Sequence, residues 1–137
     1  MDLEQNVSWS EIESIIEILA KKISSSSRTY SSIVTLSRGG LIPSRLLADH
    51  LDIKKILVDK SHISYNSLFV DDIFDTGDTF TKILSIVDNP SKLTFVTLFA
   101  RRGKIFPKQL VYAKKTTSAG GYVVFPWDRF EFQRSKQ

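Results

Sequence analysis

The chain contains no cysteine among its 137 residues. This absence excludes disulfides, iron–sulfur clusters, thiolate zinc sites and catalysis by a cysteine nucleophile. No apolar run approaches the roughly 18 residues that a membrane-spanning helix needs, so no membrane partner is expected. The first residues, MDLEQN, are acidic and polar, unlike the start of a secretory signal peptide. Together these absences predict a cytoplasmic globular protein.

The composition is that of an ordinary globular domain with a basic charge balance. Hydrophobic residues make up 42% of the chain and charged residues 25%, with a net charge of +4. This length predicts one domain that spans residues 1–137. A basic balance favours polyanionic ligands. Because none of the recognisable nucleic-acid-binding motifs is present, nucleic acid is not expected as a partner, and phosphorylated small molecules are favoured.

Strand-like and helix-like segments alternate along the chain. Apolar residues at helical spacing predict helices over residues 9–23, 43–51 and 80–87. Short β-branched and aromatic runs predict strands over residues 33–36, 55–58, 68–70, 93–99, 110–113 and 122–125. This order predicts an α/β fold whose sheet is mostly parallel and flanked by helices. Ligands of such sheets bind at the carboxyl ends of the strands, where both glycine-containing turns are expected.

The most specific pattern is LFVDDIFDTGDT, residues 68–79. It predicts a buried strand that presents two adjacent carboxylates, followed by a turn that opens a helix. Free backbone N–H groups at such a turn, together with the positive end of the helix, form a phosphate-binding cradle. Carboxylates can bind ribose hydroxyls or Mg²⁺. The alternative is an aspartate-rich turn that only caps a helix, but the full string is more specific than a cap requires.

This segment resembles the phosphoribosyl pyrophosphate (PRPP) signature of the type I phosphoribosyltransferase family. Four other segments resemble its purine branch, including the xanthine-guanine and hypoxanthine enzymes. They are the pyrophosphate loop TLSRGGLIP (35–43), the strand FVTLFA (95–100), the segment YVVFPWD (122–128) and the opening VSW (7–9). The resemblance implies the type I phosphoribosyltransferase fold, with a small purine-binding hood built from the N-terminal segment and residues of about 101–131.

The resemblance also implies an activity. It is the transfer of 5-phosphoribosyl from PRPP to a 6-oxopurine (hypoxanthine, guanine or xanthine), which yields a nucleoside monophosphate and pyrophosphate. Such an enzyme is a Mg²⁺-dependent pentosyltransferase of purine salvage, and a homodimer or higher homo-oligomer is expected.

The resemblance assigns a role to each matching residue. The residues expected to bind the 5-phosphate are Thr76, Gly77, Asp78 and Thr79. The ribose hydroxyls are expected to bind Asp71 and Asp72, and Mg²⁺ is expected to bind Asp72 together with Asp71. Pyrophosphate is expected to bind Ser37, Arg38 and Gly39, with a cis peptide between Ser37 and Arg38. Asp75 matches the catalytic acid and base. The purine falls to Arg101, Tyr122 and the backbone of Val123.

Three departures from the family pattern leave alternatives open. Arg101 stands where 6-oxopurine enzymes usually carry lysine, so adenine is an alternative substrate. Asp78 stands where glycine or lysine is common. The mobile flap that normally follows the Ser-Tyr pair at residues 64–65 is very short, and the basic segment 101–115 is the expected substitute cover. A non-catalytic nucleotide-sensing or RNA-binding regulator is the alternative from another functional class.

Overall fold

A five-stranded parallel sheet organises the structure, a computed structural model that describes residues 4–136. The strands within these residues are β1 (Gln5–Asn6), β2 (Ser32–Thr35), β3 (Ile56–Val58), β4 (Ser67–Phe74), β5 (Thr94–Ala100), β6 (Leu110–Lys115) and β7 (Val123–Val124). The helices are α1 (Trp9–Ser24), α2 (Leu41–Leu51), α3 (Asp78–Leu84) and α4 (Arg129–Ser135). The sheet order β3-β2-β4-β5-β6 confirms the predicted α/β architecture.

The core lies on both faces of the sheet, which explains the nearly continuous apolar runs of its central strands. On one face, α1 packs a stripe of buried residues at helical spacing, among them Ile12, Ile16 and Leu19. Ser8 caps this helix by accepting a hydrogen bond from the Glu11 N–H at 3.1 Å. The opposite face carries an aromatic cluster in which the rings of Phe69 and Phe95 stack at 4.8 Å.

A second sheet of two short strands joins the two ends of the chain. β1 pairs in parallel with β7, and the Gln5 N–H donates to the Tyr122 carbonyl at 2.8 Å. α4 follows β7 after one short 3-10 helix, Pro126–Asp128. The pattern of the sequence predicted neither β1 nor α4. The predicted strand over 122–125 is wrong at its ends, because only two residues have a strand partner.

Two further element boundaries differ from the predictions. β4 continues to Phe74, so Asp71 and Asp72 lie inside the strand and not after it. This happens because pairing with β5 continues to Phe74, while pairing with β2 ends at Val70. α3 ends at Leu84, one turn early, because Val87 is held in a bridge with Ile63. Among the described residues, no helix has the length and apolarity that crossing a bilayer requires.

Candidate active site

Three loops meet at the carboxyl ends of β2, β4 and β5, the edge where parallel α/β sheets bind ligands. The loops contain residues 36–40, 75–77 and 101–109. β2 stops pairing with β4 at Val70, whereas β4 continues to Phe74. The last four residues of β4 therefore have no strand partner on the β2 side. The loop after β2 lies in the opening that this leaves.

Asp71 and Asp72 form a carboxylate pair at this opening. The Asp71 Oδ1 accepts a hydrogen bond from the Asp72 N–H, and the Asp72 Oδ1 accepts one from the Ile73 N–H, each at 2.8 Å. Burial raises the pKa of both side chains, and the neighbouring Asp71 charge helps to raise the pKa of Asp72 to about 7. Within residues 4–136 neither carboxylate has an ion-pair partner. The pair is therefore suited to a cation or to hydroxyl donors.

The turn after β4 has the geometry of an anion cradle. Gly77 adopts φ +90°, which favours glycine, and α3 begins at the next residue. Among the described residues, the N–H groups of Gly77, Thr79 and Phe80 have no acceptor, while the Asp78 N–H donates to Thr76 Oγ1 at 3.3 Å. Residues 71–80 and Phe95 line a cavity of about 190 Å³ at this turn. Three free donors at a helix start suit one phosphate group.

The loop after β2 packs against the carboxylate pair. A Cβ added to Gly39 would lie 2.8 Å from Asp72 Oδ2, so any larger residue would force this carboxylate to move. The peptide between Ser37 and Arg38 is cis, as expected. The Arg38 guanidinium is exposed and pairs with Glu131 of α4 at 3.3 Å. The anion-binding candidates Ser37, Arg38 and Gly39 therefore border the carboxylates.

Arg101 is tied to the predicted acid and base. Its Nε and Nη2 donate to the two carboxylate oxygens of Asp75, at 3.0 and 3.3 Å. Its Nη1 donates to the carbonyls of Gly121 at 2.7 Å and Ser118 at 3.4 Å. Arg101 is only 6% exposed. Since a guanidinium has five N–H donors, one hydrogen on Nη2 has no acceptor within the described residues.

The segment after β6 supplies an aromatic face and an unpaired strand edge. Tyr122 is half exposed, and its ring lies 4.8 Å from that of Phe132. The bonds between β1 and β7 use the carbonyls of Tyr122 and Val124. The backbone groups of Val123, which point to the other side, have no partner within residues 4–136. The site thus has a stacking surface and a backbone donor–acceptor pair close together in the chain.

Asp128 is a site residue that the sequence reasoning missed. Burial, followed by the charges of Asp72 and Glu131, raises its pKa to about 6. Asp128 also lines a cavity together with Arg38 and Glu131, which places it beside the loop after β2. The available signal was its place at the end of the YVVFPWD segment, four residues after β7 ends.

The expected cover, residues 101–115, is partly built into the sheet. Residues 110–115 form β6, and Lys114 pairs with Glu11 of α1 at 3.3 Å. Only the loop of residues 102–109, with Ile105 exposed at its tip, lies free of the strands. The prediction of a mobile cover is therefore wrong for β6 and stays a prediction for this loop.

Comparison with known proteins identifies the fold. No family model matches the chain. A xanthine-guanine phosphoribosyltransferase of Chromohalobacter salexigens is 25% identical, over 89% of this chain and 82% of that protein. The Helicobacter pylori xanthine-guanine-hypoxanthine phosphoribosyltransferase superimposes with a TM-score of 0.72 at 17% identity, covering 98% and 99% of the two chains. A hypothetical protein of Neisseria gonorrhoeae with bound ppGpp gives a TM-score of 0.71 at 18% identity, covering 99% and 95%.

Sequence and structure thus agree on the same relatives. The curated relative matches most of both chains, and the solved enzyme shares the whole architecture. The phosphate cradle, the carboxylate pair and the loop after β2 lie together at the edge where the PRPP and pyrophosphate motifs were predicted. The chain has the fold of these enzymes and resembles the purine-specific branch of the type I phosphoribosyltransferase family.

Proposed function

We propose that this protein is an enzyme that transfers the 5-phosphoribosyl group of PRPP to a 6-oxopurine, releasing pyrophosphate and a nucleoside monophosphate. The observation that carries the proposal is the contact between Gly39 and the Asp72 carboxylate. It joins the loop proposed for pyrophosphate to the strand proposed for the ribose. PRPP carries its ribose between a 5-phosphate and a pyrophosphate, so three adjacent subsites in this order fit that one molecule. The likeness to purine phosphoribosyltransferases supports the same reading.

Mg²⁺ fits the carboxylate pair. Asp71 and Asp72 offer oxygen ligands, and their charges are buried without a counter-ion among the described residues. The described residues contain no cluster of three metal-ligating side chains. Asp72, with Asp71, would therefore hold the ion together with oxygens of PRPP. When bound, Mg²⁺ neutralises charge on the substrate and its leaving group.

Each remaining PRPP residue has a task that its position supports. The N–H groups of the 76–79 turn would bind the 5-phosphate, and the Asp78 side chain must point away from it. Ser37, Arg38 and Gly39 would bind the departing pyrophosphate. For Arg38, this requires exchange of the Glu131 carboxylate for the anion, and the exposed ion pair makes the exchange inexpensive. Fixed donors aimed at the developing charge lower the barrier to C–O cleavage at the sugar.

The base would lie between Tyr122, the Val123 backbone and the Arg101–Asp75 pair. Asp75 would take the proton that the purine nitrogen loses when it bonds to the sugar, and Arg101 holds that carboxylate in place. The remaining N–H of Arg101 is a donor and suits a carbonyl at purine C6 better than an amino group. We further propose that β1, β7 and the segment around them form the purine-binding hood.

The test is a transfer assay with each purine. Wild-type protein receives PRPP, Mg²⁺ and either hypoxanthine, guanine, xanthine or adenine, and nucleotide formation is followed by chromatography. We expect nucleotide with at least one 6-oxopurine and little with adenine. A matched control is Asp52→Asn, which removes a carboxylate far from the cleft. Transfer to adenine alone would contradict the base assignment, and no transfer to any purine would contradict the reaction.

A second candidate is sensing of a pyrophosphate-bearing purine nucleotide. It is favoured by the Neisseria gonorrhoeae protein with bound ppGpp, which has the same fold over nearly its whole length. Calorimetry with ppGpp separates the two functions when combined with the transfer assay. Binding of ppGpp without transfer supports the sensor, and transfer supports the enzyme.

Self-association is also proposed. Trp9, Leu41 and Phe130 are exposed apolar side chains that lie around Trp127. A contiguous apolar surface of this kind is typical of protein interfaces. Sedimentation velocity should show a dimer or larger species, and Phe130→Ser should shift it toward the monomer.

A further inference from the structure

Asp59 lies beside the loop proposed for pyrophosphate, although it belongs to a different part of the chain. It directly follows β3, whose last residue, Val58, pairs with Thr35 at the end of β2. The Asp59 N–H donates to the Thr35 carbonyl at 3.0 Å, which extends the ladder by one step. This register places the Asp59 carboxylate next to the first residues of the loop after β2.

Both oxygens of Asp59 are used by a single loop residue. Oδ1 accepts a hydrogen bond from the Ser37 N–H at 2.9 Å, and Oδ2 accepts one from the Ser37 hydroxyl at 2.5 Å. These two bonds hold the pKa of Asp59 below its ordinary value, and the bond from the hydroxyl has the larger effect. Charge-assisted bonds of this kind are shorter and stronger than neutral ones.

The backbone of Asp59 is unusual as well. Its φ of +55° is in the left-handed region, where side chains other than those of glycine, asparagine and aspartate are rare. Among the described non-glycine residues, only Asp52 shares this conformation, with φ 54°. Asp52 pairs with Lys54 on the surface and has no contact with the loop. The chain therefore contains two aspartates of the same backbone type, of which one contacts the proposed site.

We infer that Asp59 is a positioning residue that holds Ser37, and with it the Arg38 and Gly39 backbone, in the geometry that receives pyrophosphate. The inference rests on the proposed function. The alternative, that the Asp59 charge acts only by electrostatic repulsion, makes the opposite prediction. If the Asp59 charge only repelled a nearby polyanion, removing the charge would tighten pyrophosphate binding. If Asp59 positions the loop, removing an acceptor weakens binding, because small misplacements of binding groups are costly.

The variants are Asp59→Asn, Asp59→Ala and the matched control Asp52→Asn. Asparagine tolerates the left-handed backbone and keeps one acceptor, but its amide nitrogen cannot accept from the Ser37 hydroxyl. We expect Asp59→Asn to raise KM for PRPP and weaken Mg²⁺-pyrophosphate binding about tenfold, with KM for the purine nearly unchanged. Asp59→Ala should have a larger effect. Asp52→Asn should match wild type in every assay.

A second measurement follows the loop without any ligand. The Ser37 amide should exchange with solvent faster in Asp59→Ala, which removes its acceptor, than in wild type or Asp52→Asn, by hydrogen-exchange NMR. Unchanged Ser37 exchange in Asp59→Ala, or unchanged or tighter pyrophosphate binding in Asp59→Asn, would overturn the inference. If wild type binds pyrophosphate in an Asp59-dependent way but transfers no phosphoribosyl group, the proposed reaction fails and the inference stands.

Discussion

Replacing Asp72 by asparagine should stabilise the unliganded protein at high pH and leave it nearly unchanged at low pH. Burial and the Asp71 charge raise the pKa of Asp72 to about 7 in the folded chain, against about 3.9 in an unfolded one. Between these values the folded protein retains a proton that the unfolded chain has lost. The unfolding free energy therefore falls as pH rises through this window, and the loss is complete above a pH of about 7. Because an asparagine side chain does not ionise, Asp72→Asn does not lose stability in this way.

The size of the effect follows from the same two pKa values. Their difference corresponds to roughly 4 kcal/mol at about 1.4 kcal/mol for each pKa unit. Since the protons of Asp71 and Asp72 are shared by the pair, one substitution should recover roughly 2–4 kcal/mol. Urea unfolding of wild type and Asp72→Asn at about pH 4.5 and about pH 8 measures it.

Asp52→Asn is the control for this comparison. The pKa of Asp52 is lowered by its hydrogen bond and ion pair with Lys54, so its replacement should bring no gain at alkaline pH. A difference between Asp72→Asn and wild type that stays constant across the pH range would refute the reasoning, since it would show that the buried carboxylate costs nothing when ionised.

Four further substitutions test the cleft. Asp75→Asn should lower kcat by about 10²–10⁴-fold while PRPP still binds, because asparagine cannot move the proton; unchanged kcat at saturation would contradict the role. Arg38→Ala should weaken PRPP and pyrophosphate more than nucleoside monophosphate, which lacks the pyrophosphate, and calorimetry giving equal losses would indicate a structural role. We expect the unused N–H of Arg101 to favour hypoxanthine over adenine by roughly 1–3 kcal/mol, so Arg101→Ala should reduce this discrimination. In relative kcat/KM measurements, Tyr122→Ala, which removes stacking, should instead weaken all purines alike.

The half of the candidate site proposed for PRPP could be predicted because its information is local. Asp71 to Thr79 form one strand, one turn and one helix start, and a contiguous motif records all three. The alternation of apolar strands with amphipathic helices likewise predicted the parallel sheet. Even so, the motif placed the carboxylates after the strand, because the greater length of β4 relative to β2 depends on its pairing with β5.

The parts that were missed depend on contacts between distant residues. Asp59 meets Ser37 across 22 positions, through the pairing of β2 with β3. The guanidinium of Arg101 was expected to face the base, yet four of its five donors bind Asp75, Ser118 and Gly121. β1 has two residues and no periodicity of its own, so only its partner β7 defines it as a strand. The local pattern of a single sequence contains no information on which distant residues will be in contact.

The pairing of β1 with β7 has a consequence for how the protein is made. Gln5 and Val123 lie 118 positions apart in the sequence, so this strand pair can form only after Val123 has left the ribosome. The phosphate cradle, built from residues 71–80, needs no such wait. A growing chain therefore completes its phosphate-binding half before its base-binding half. Among the strand pairs of the described residues, β1 with β7 has the largest sequence separation and therefore the largest loop-closure entropy, so this small sheet should be the first part to open under stress.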